Sequence, residues 1–190
     1  MSTEELYDEL NYVDASRENR LKYAQLVLND LSLLQKLLEI LYMVDDKLSC
    51  RAAWVLEFVC IDYIYAIVPH LNKFTNNLKY IHLDSAVRPV SKVCSLIASE
   101  SFSKLSNPIK NELSPSHKEL MVEACFDWMI GDQKVATKVH AMETLFLFGQ
   151  ENKSWIHNEL AIILQQEYHQ QSAGYKSRAK RILKKIKINK

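Results

Sequence analysis

Glycine is scarce in this chain. Only Gly131, Gly149 and Gly174 occur among 190 residues, alongside four prolines. Phosphate-cradling loops and tight hairpins need residues that take positive φ at little cost. Their shortage argues against a dinucleotide-binding fold and against an all-β sandwich. Cysteine motifs are lacking as well. Cys50, Cys60, Cys94 and Cys125 form no C-x-x-C pair, the usual start of a structural zinc site. The opening stretch MSTEELYDEL is acidic and polar and does not read as a secretory signal. The longest apolar run, YIYAIV, is far too short for a bilayer span. These absences lead to the expectation of a cytoplasmic protein with reduced thiols.

What is present favours helices. Leu, Lys, Glu, Ala and Ile dominate, and they are good helix formers. The hydrophobic fraction is 48% and the charged fraction 25%, ordinary for a globular chain of this length. The net charge is only +1 but is unevenly placed. Positions 168–190 hold eight Lys/Arg and no Asp/Glu, leaving 16 positive and 23 negative residues elsewhere.

Capping and periodicity place the helices. STEE (2–5) and SHKE (116–119) fit capping boxes. Leu31, Leu34, Leu37, Leu38 and Leu41 form an i, i+3, i+4, i+7 stripe. Leu120, Met121, Ala124, Cys125, Trp128 and Met129 form another, and Ala179, Ile182, Leu183 and Ile186 a last one. No run of short alternating strands occurs.

The helices repeat. KLSCRAAWVLEFV (47–59), LDSAVRPVSKVCSLI (83–97), DQKVATKVHAMETLF (132–146) and SAGYKSRAKRILKKI (172–186) each open on a polar or small turn. Each then places an early basic residue: Arg51, Arg88, Lys138 and Arg178, at intervals of 37, 50 and 40. Amphipathic stretches at 30–44, 63–78, 116–130 and 154–168 precede them. The unit is helix, turn, helix, about 40 residues long. The long interval is explained by SESFSKLSNPIKNELSP (99–115), a Ser/Pro-rich loop with a helical turn expected after Asn107-Pro108. The expected organisation is one domain over 1–190: capping helices at 1–29, repeat hairpins at 30–98 and 116–190, and an inserted loop at 99–115.

The small-residue and Val-Arg pattern, clearest in SAVRPV and weaker in SCRAAW, ATKVHA and KSRAKR, resembles the HEAT/armadillo class of helical repeats. That resemblance implies an all-α fold: a short right-handed α–α superhelix of about 8–10 helices. It also implies a binding surface rather than a particular activity. The chain is similar, too, to a family of small bacterial proteins of about this length that carries the label adenylosuccinate lyase. The label implies lyase activity. Enzymes of that superfamily are much longer and carry a loop of the type G-S-S-x-M-P-x-K-x-N-P. ASESFSKLSNPIK has serines, a lysine and Asn-Pro, but neither the glycine nor the Met-Pro.

Candidate functional residues follow from charge. Arg51, Arg88, Lys138 and Arg178 form a ladder at the repeat spacing. It either faces an acidic partner or pairs internally with carboxylates such as Asp45, Asp46, Asp84 or Asp132. In the tail, Lys180, Arg181, Lys184 and Lys185 join Arg178. This segment either binds nucleic acid or an acidic lipid surface, or caps the repeat array with a polar face. The cysteines read as buried thiols, with Cys50 the one thiolate candidate because it adjoins Arg51. His70, His82, His117, His140, His157 and His169 form no metal or triad motif, although His82 could sit beside Asp84. Trp54, Trp128 and Trp155 read as core fillers. No catalytic, cofactor-binding or metal-ligating residue is assigned. The expected function is a non-catalytic scaffold for a protein partner. The alternative is nucleic-acid binding through the basic C-terminal helix.

Overall fold

The computed structural model describes residues 1–151 and 154–188. Among these residues the fold is all-α. Its helices are α1 (Thr3–Leu10), α2 (Arg17–Asn29), α3 (Ser32–Leu41), α4 (Lys47–Asp62), α5 (Leu71–Asn77), α6 (Asp84–Ser101), α7 (Pro108–Glu112), α8 (Pro115–Ile130), α9 (Val135–Phe148), α10 (Ser154–Glu167) and α11 (Ala173–Ile188). Three 3-10 segments add to them at Ile64–His70, Leu78–Tyr80 and Tyr168–Gln170. The helix count exceeds the expected 8–10 because it includes short elements such as α5 and α7. No single helix is long and apolar enough to cross a membrane.

The repeat appears in the packing, which is consistent with a helical-repeat fold. The second helix of each unit packs on that of the next: α2 on α4, α4 on α6, α6 on α9 and α9 on α11. Within units, α3 packs on α4, α8 on α9 and α10 on α11. Small residues make this spine close. Ser49, Ala52 and Ala53 of α4 and Ala86, Ser91 and Ala98 of α6 are all buried, so the two backbones can approach. The N-terminal helices α1 and α2 pack on the first hairpin, α3 and α4: α1 on α3 and α2 on α4.

Local chemistry sets the helix ends. Ser2 closes the expected capping box: its Oγ accepts from Glu5 N at 3.1 Å, and its own N donates to Glu5 Oε2 at 2.7 Å. The second box lies two residues earlier than expected. Ser114, not Ser116, is the N-cap of α8, and His117 takes the third helical position. Pro115 accounts for the shift, because its fixed φ and missing N–H suit the first helical position.

The stretch 63–78, expected as one amphipathic helix, is broken. It forms a 3-10 segment, the seven-residue α5 and a second 3-10 segment. Pro69 lies inside the first of these, where its ring and missing N–H oppose an α-helical ladder. The insertion at 99–115 is more ordered than a loop. α6 runs into it as far as Ser101, and α7 forms after Asn107-Pro108 as expected. Asn107 Oδ1 accepts from Lys110 N at 3.0 Å, its Nδ2 donates to Glu100 O at 3.1 Å, and Ile109 is fully buried.

Candidate functional site

The repeat cations are engaged internally, although not by the aspartates expected. Arg51 Nη1 donates to the carbonyls of Leu10 (3.1 Å) and Asn11 (2.7 Å) at the end of α1. Those carbonyls lie at the negative pole of α1, where a cation is favourable. Arg88 on α6 forms a two-pronged pair with Glu57 on α4, at 3.0 and 2.7 Å. Lys138 on α9 meets Glu167 Oε1 at the end of α10 at 2.8 Å. Arg178 on α11 meets Glu143 on α9 at 2.9 Å, and Arg181 shares that carboxylate at 3.1 Å. Two of these contacts, Arg88–Glu57 and Arg178–Glu143, tie a second helix to the one before it.

The four aspartates do other work. Asp46 caps α4 through Leu48 N at 2.8 Å and accepts from Tyr7 Oη at 2.6 Å. These bonds hold its carboxyl below the usual range, the Tyr7 bond contributing most. Asp45 lies 3.4 Å from His82 at the surface, so His82 sits by Asp45 rather than Asp84. Asp84 lies 3.3 Å from Lys134. Asp132 forms no ion pair or hydrogen bond with any of the four ladder cations, whose partners lie elsewhere.

Two of the open grooves combine aromatic side chains with charge of one sign. The first lies between the end of α10 and α11, a groove of about 620 Å³. Tyr168 and Leu183 form its floor, with His169, Lys180, Lys184 and Lys187 around them. Of the basic residues singled out in the tail, Lys180 and Lys184 line this groove. Arg178, Arg181 and Lys185 point the other way: Lys185 Nζ sits 5.2 Å from the centre of the Phe146 ring. Lys187 belongs with Lys180 and Lys184, at i, i+4 and i+7.

The second surface lies between α8 and α10, a groove of about 340 Å³. Phe126 and Trp155 stack there with centroids 5.9 Å apart and an interplanar angle of 27°. Val122 and Ile156 complete the apolar lining, and Glu119, Glu123 and Asp127 form an acidic edge. Trp155 is 52% exposed, so it is not the core filler expected. It sits in the first turn of α10, against Phe126 of α8. The signal for this groove was present in the sequence as the i, i+4, i+8 stripe Glu119, Glu123, Asp127. Trp128 is buried as expected. Trp54 is half-buried, and its Nε1 donates to Ser85 O at 2.8 Å.

Thiol and imidazole chemistry is muted. All four cysteines are free. Burial pushes the Cys50 thiol up, so the thiolate that adjacency to Arg51 suggested is not favoured. Arg51 is turned towards α1 instead. Burial also pushes Cys125 up to about 12, and raises Cys60 and Cys94 as well. His157 is buried, stacks on Phe146 and donates through Nε2 to Phe146 O at 2.8 Å. His117 Nε2 lies 2.7 Å from Asn72 Oδ1. His140 is held to about 4, first by burial and then by the nearby charges of Lys92, Arg88 and Arg178. Among the described residues, no three His, Cys, Asp or Glu side chains are grouped to hold a metal ion.

No family model matches the chain, and neither any curated protein nor any solved structure does.

Proposed function

We propose that this chain is a non-catalytic helical-repeat scaffold that holds a protein partner. The α8–α10 groove is its docking surface, and the partner supplies a basic amphipathic segment. The observation that carries this reading is the half-exposed Trp155, stacked on Phe126 beside Glu123 and Asp127. Large exposed aromatics in a groove serve as interface anchors, and an acidic edge selects a basic partner. The HEAT/armadillo-like reading is supported by the successive packing of α2, α4, α6, α9 and α11. A cytoplasmic location is supported by the four free thiols.

Affinity capture from native lysate tests the proposal, with and without nuclease. The baits are the wild-type chain, Trp155→Ala and the charge reversal Glu123→Lys/Asp127→Lys. A protein captured despite nuclease, and lost with both variants, is the expected result. Equal capture by all three baits removes the groove from the proposal, and nuclease-sensitive capture removes the protein partner. For the lyase label, fumarate release by the purified chain is the direct assay. The scaffold reading expects none, and turnover abolishes it.

A further inference from the structure

We propose that the α10–α11 groove binds single-stranded nucleic acid, with phosphates on Lys180, Lys184 and Lys187 and a base on Tyr168. This goes beyond the scaffold reading. The two grooves share no lining residue, so either can fail alone.

The argument starts from the two edges of α11. Tyr175, Ala179, Ile182 and Ile186 bury the inner face of this helix. One flank is partnered at home: Arg178 and Arg181 share Glu143, and Lys185 lies over Phe146. The other flank has no such partners. Among the described residues, Lys180, Lys184 and Lys187 make no ion pair or hydrogen bond, and all three are exposed. No carboxylate among the described residues lines the groove they border. A row of like charges left uncompensated beside a cleft raises the local concentration of anions.

The geometry selects the kind of anion. Lys180 to Lys187 covers seven residues, about 10 Å along a helix at 1.5 Å per residue. That is longer than one phosphate and suits a short run of backbone. The floor is Leu183 and Tyr168, both half-buried, with the His169 ring edge-on to Tyr168 at 5.6 Å. Aromatic rings beside a cationic track are what an unpaired base stacks on, and a duplex keeps its bases stacked inward. A lipid surface fits less well. Membrane-binding helices push large apolar side chains outward between their lysines, whereas among the described residues none of the exposed large hydrophobic ones lies on α11.

The test is fluorescence anisotropy with a labelled oligothymidine of about twelve nucleotides, within the usual site size of such grooves. Three phosphate contacts on a single strand give a log–log salt slope of about −2, so binding weakens roughly twentyfold between about 50 and 200 mM salt. Lys180→Glu/Lys184→Glu weakens binding at least tenfold and flattens that slope. Tyr168→Ala weakens it roughly tenfold and leaves the slope unchanged, because stacking releases no counterions. Lys47→Glu/Lys104→Glu, an equal charge change on exposed lysines elsewhere, leaves binding intact. Lys180→Gln/Lys184→Gln gives a smaller loss in the same direction, and circular dichroism melts establish that each variant is folded. Absence of binding at about 50 mM salt overturns the proposal. So does equal loss in both reversal pairs, which would reduce the effect to net charge. Binding of phosphatidylserine vesicles through the same lysines, without oligonucleotide binding, overturns it in favour of a membrane surface.

Discussion

Trp54 supplies the hydrogen bond that Pro89 withholds. In α6 the carbonyl of Ser85 would accept from the N–H of residue 89, but proline has none. The Trp54 Nε1–H on α4 fills the vacancy at 2.8 Å. The proline-containing helix is thereby pinned to its neighbour by a bond that an uninterrupted helix would not offer.

The first prediction is a coupling between these two positions. Trp54→Phe leaves the exposed Ser85 carbonyl to water and costs about 0.5–1.5 kcal/mol beyond the change in packing. In a Pro89→Ala background the cost is smaller, because the new N–H takes that carbonyl. A double-mutant cycle read by urea unfolding returns a coupling of at least about 0.5 kcal/mol. Additive losses would separate the two residues energetically.

Gly149 is required by His157 rather than by its own backbone. Its φ is −65°, which any residue adopts. A Cβ built there overlaps Cδ2 and Nε2 of the His157 ring, and that ring is held by Phe146 from two directions. Gly149→Ala therefore destabilises by about 1–3 kcal/mol despite the entropic gain from losing a glycine. In a His157→Ala background most of that loss disappears. Thermal melts of the four chains measure both effects.

Buried and surface ion pairs differ sharply in their expected weight. The Lys138 side chain is 7% exposed, and Glu167 also accepts from Tyr175 Oη at 2.9 Å and Gln171 Nε2 at 3.1 Å. Glu167→Gln leaves a buried ammonium without its counter-charge and costs about 3 kcal/mol. Lys134 pairs with Asp84 at 3.3 Å in full view of solvent. Lys134→Gln changes stability by less than about 0.5 kcal/mol. Chemical denaturation at neutral pH and low salt distinguishes the two; equal effects would contradict the assigned burial.

Stability falls as the solution is acidified through the histidine range. The unfolded chain protonates His140 near its ordinary value of 6.5, while the folded chain resists until about 4. Between those values the unfolded state binds the extra proton, so lowering the pH favours it. The contribution is fully present above about 6.5 and is lost towards 4, a change of about 2 kcal/mol after allowance for solvent screening. His70, lowered by burial, acts in the same direction. The expected readout is therefore a difference: His140→Gln shows a shallower pH dependence of unfolding than the wild type. Identical slopes would place the effect elsewhere.

The expected helices were legible where periodicity was strong. The α4, α6, α9 and α11 segments lie where the repeated pattern placed them, because an apolar stripe at helical spacing has one way to be buried. The breaks were harder to read. The 63–78 stretch keeps its amphipathic pattern, yet Pro69 divides it. The box at α8 moved from Ser116 to Ser114 because Pro115 competes for the helix start. The candidate residues divide similarly. Arg51, Arg88, Lys138 and Arg178 were visible as a ladder, but their partners were not. Glu57, Glu143 and Glu167 lie 29 to 35 residues from the cations they meet, and nothing local marks them.

Composition and period alone set the all-α fold and the places of its strongly periodic helices, because both depend on spacing within one helix. The direction in which each cation points was settled by packing. Arg88 and Arg178 lean back onto the preceding helix, while Lys180 and Lys184 face a groove in which no described residue is a carboxylate. Trp155 stays half-exposed against Phe126. These outcomes depend on how each helix is rotated against its neighbour, and that rotation follows from the fit of side chains across the whole array.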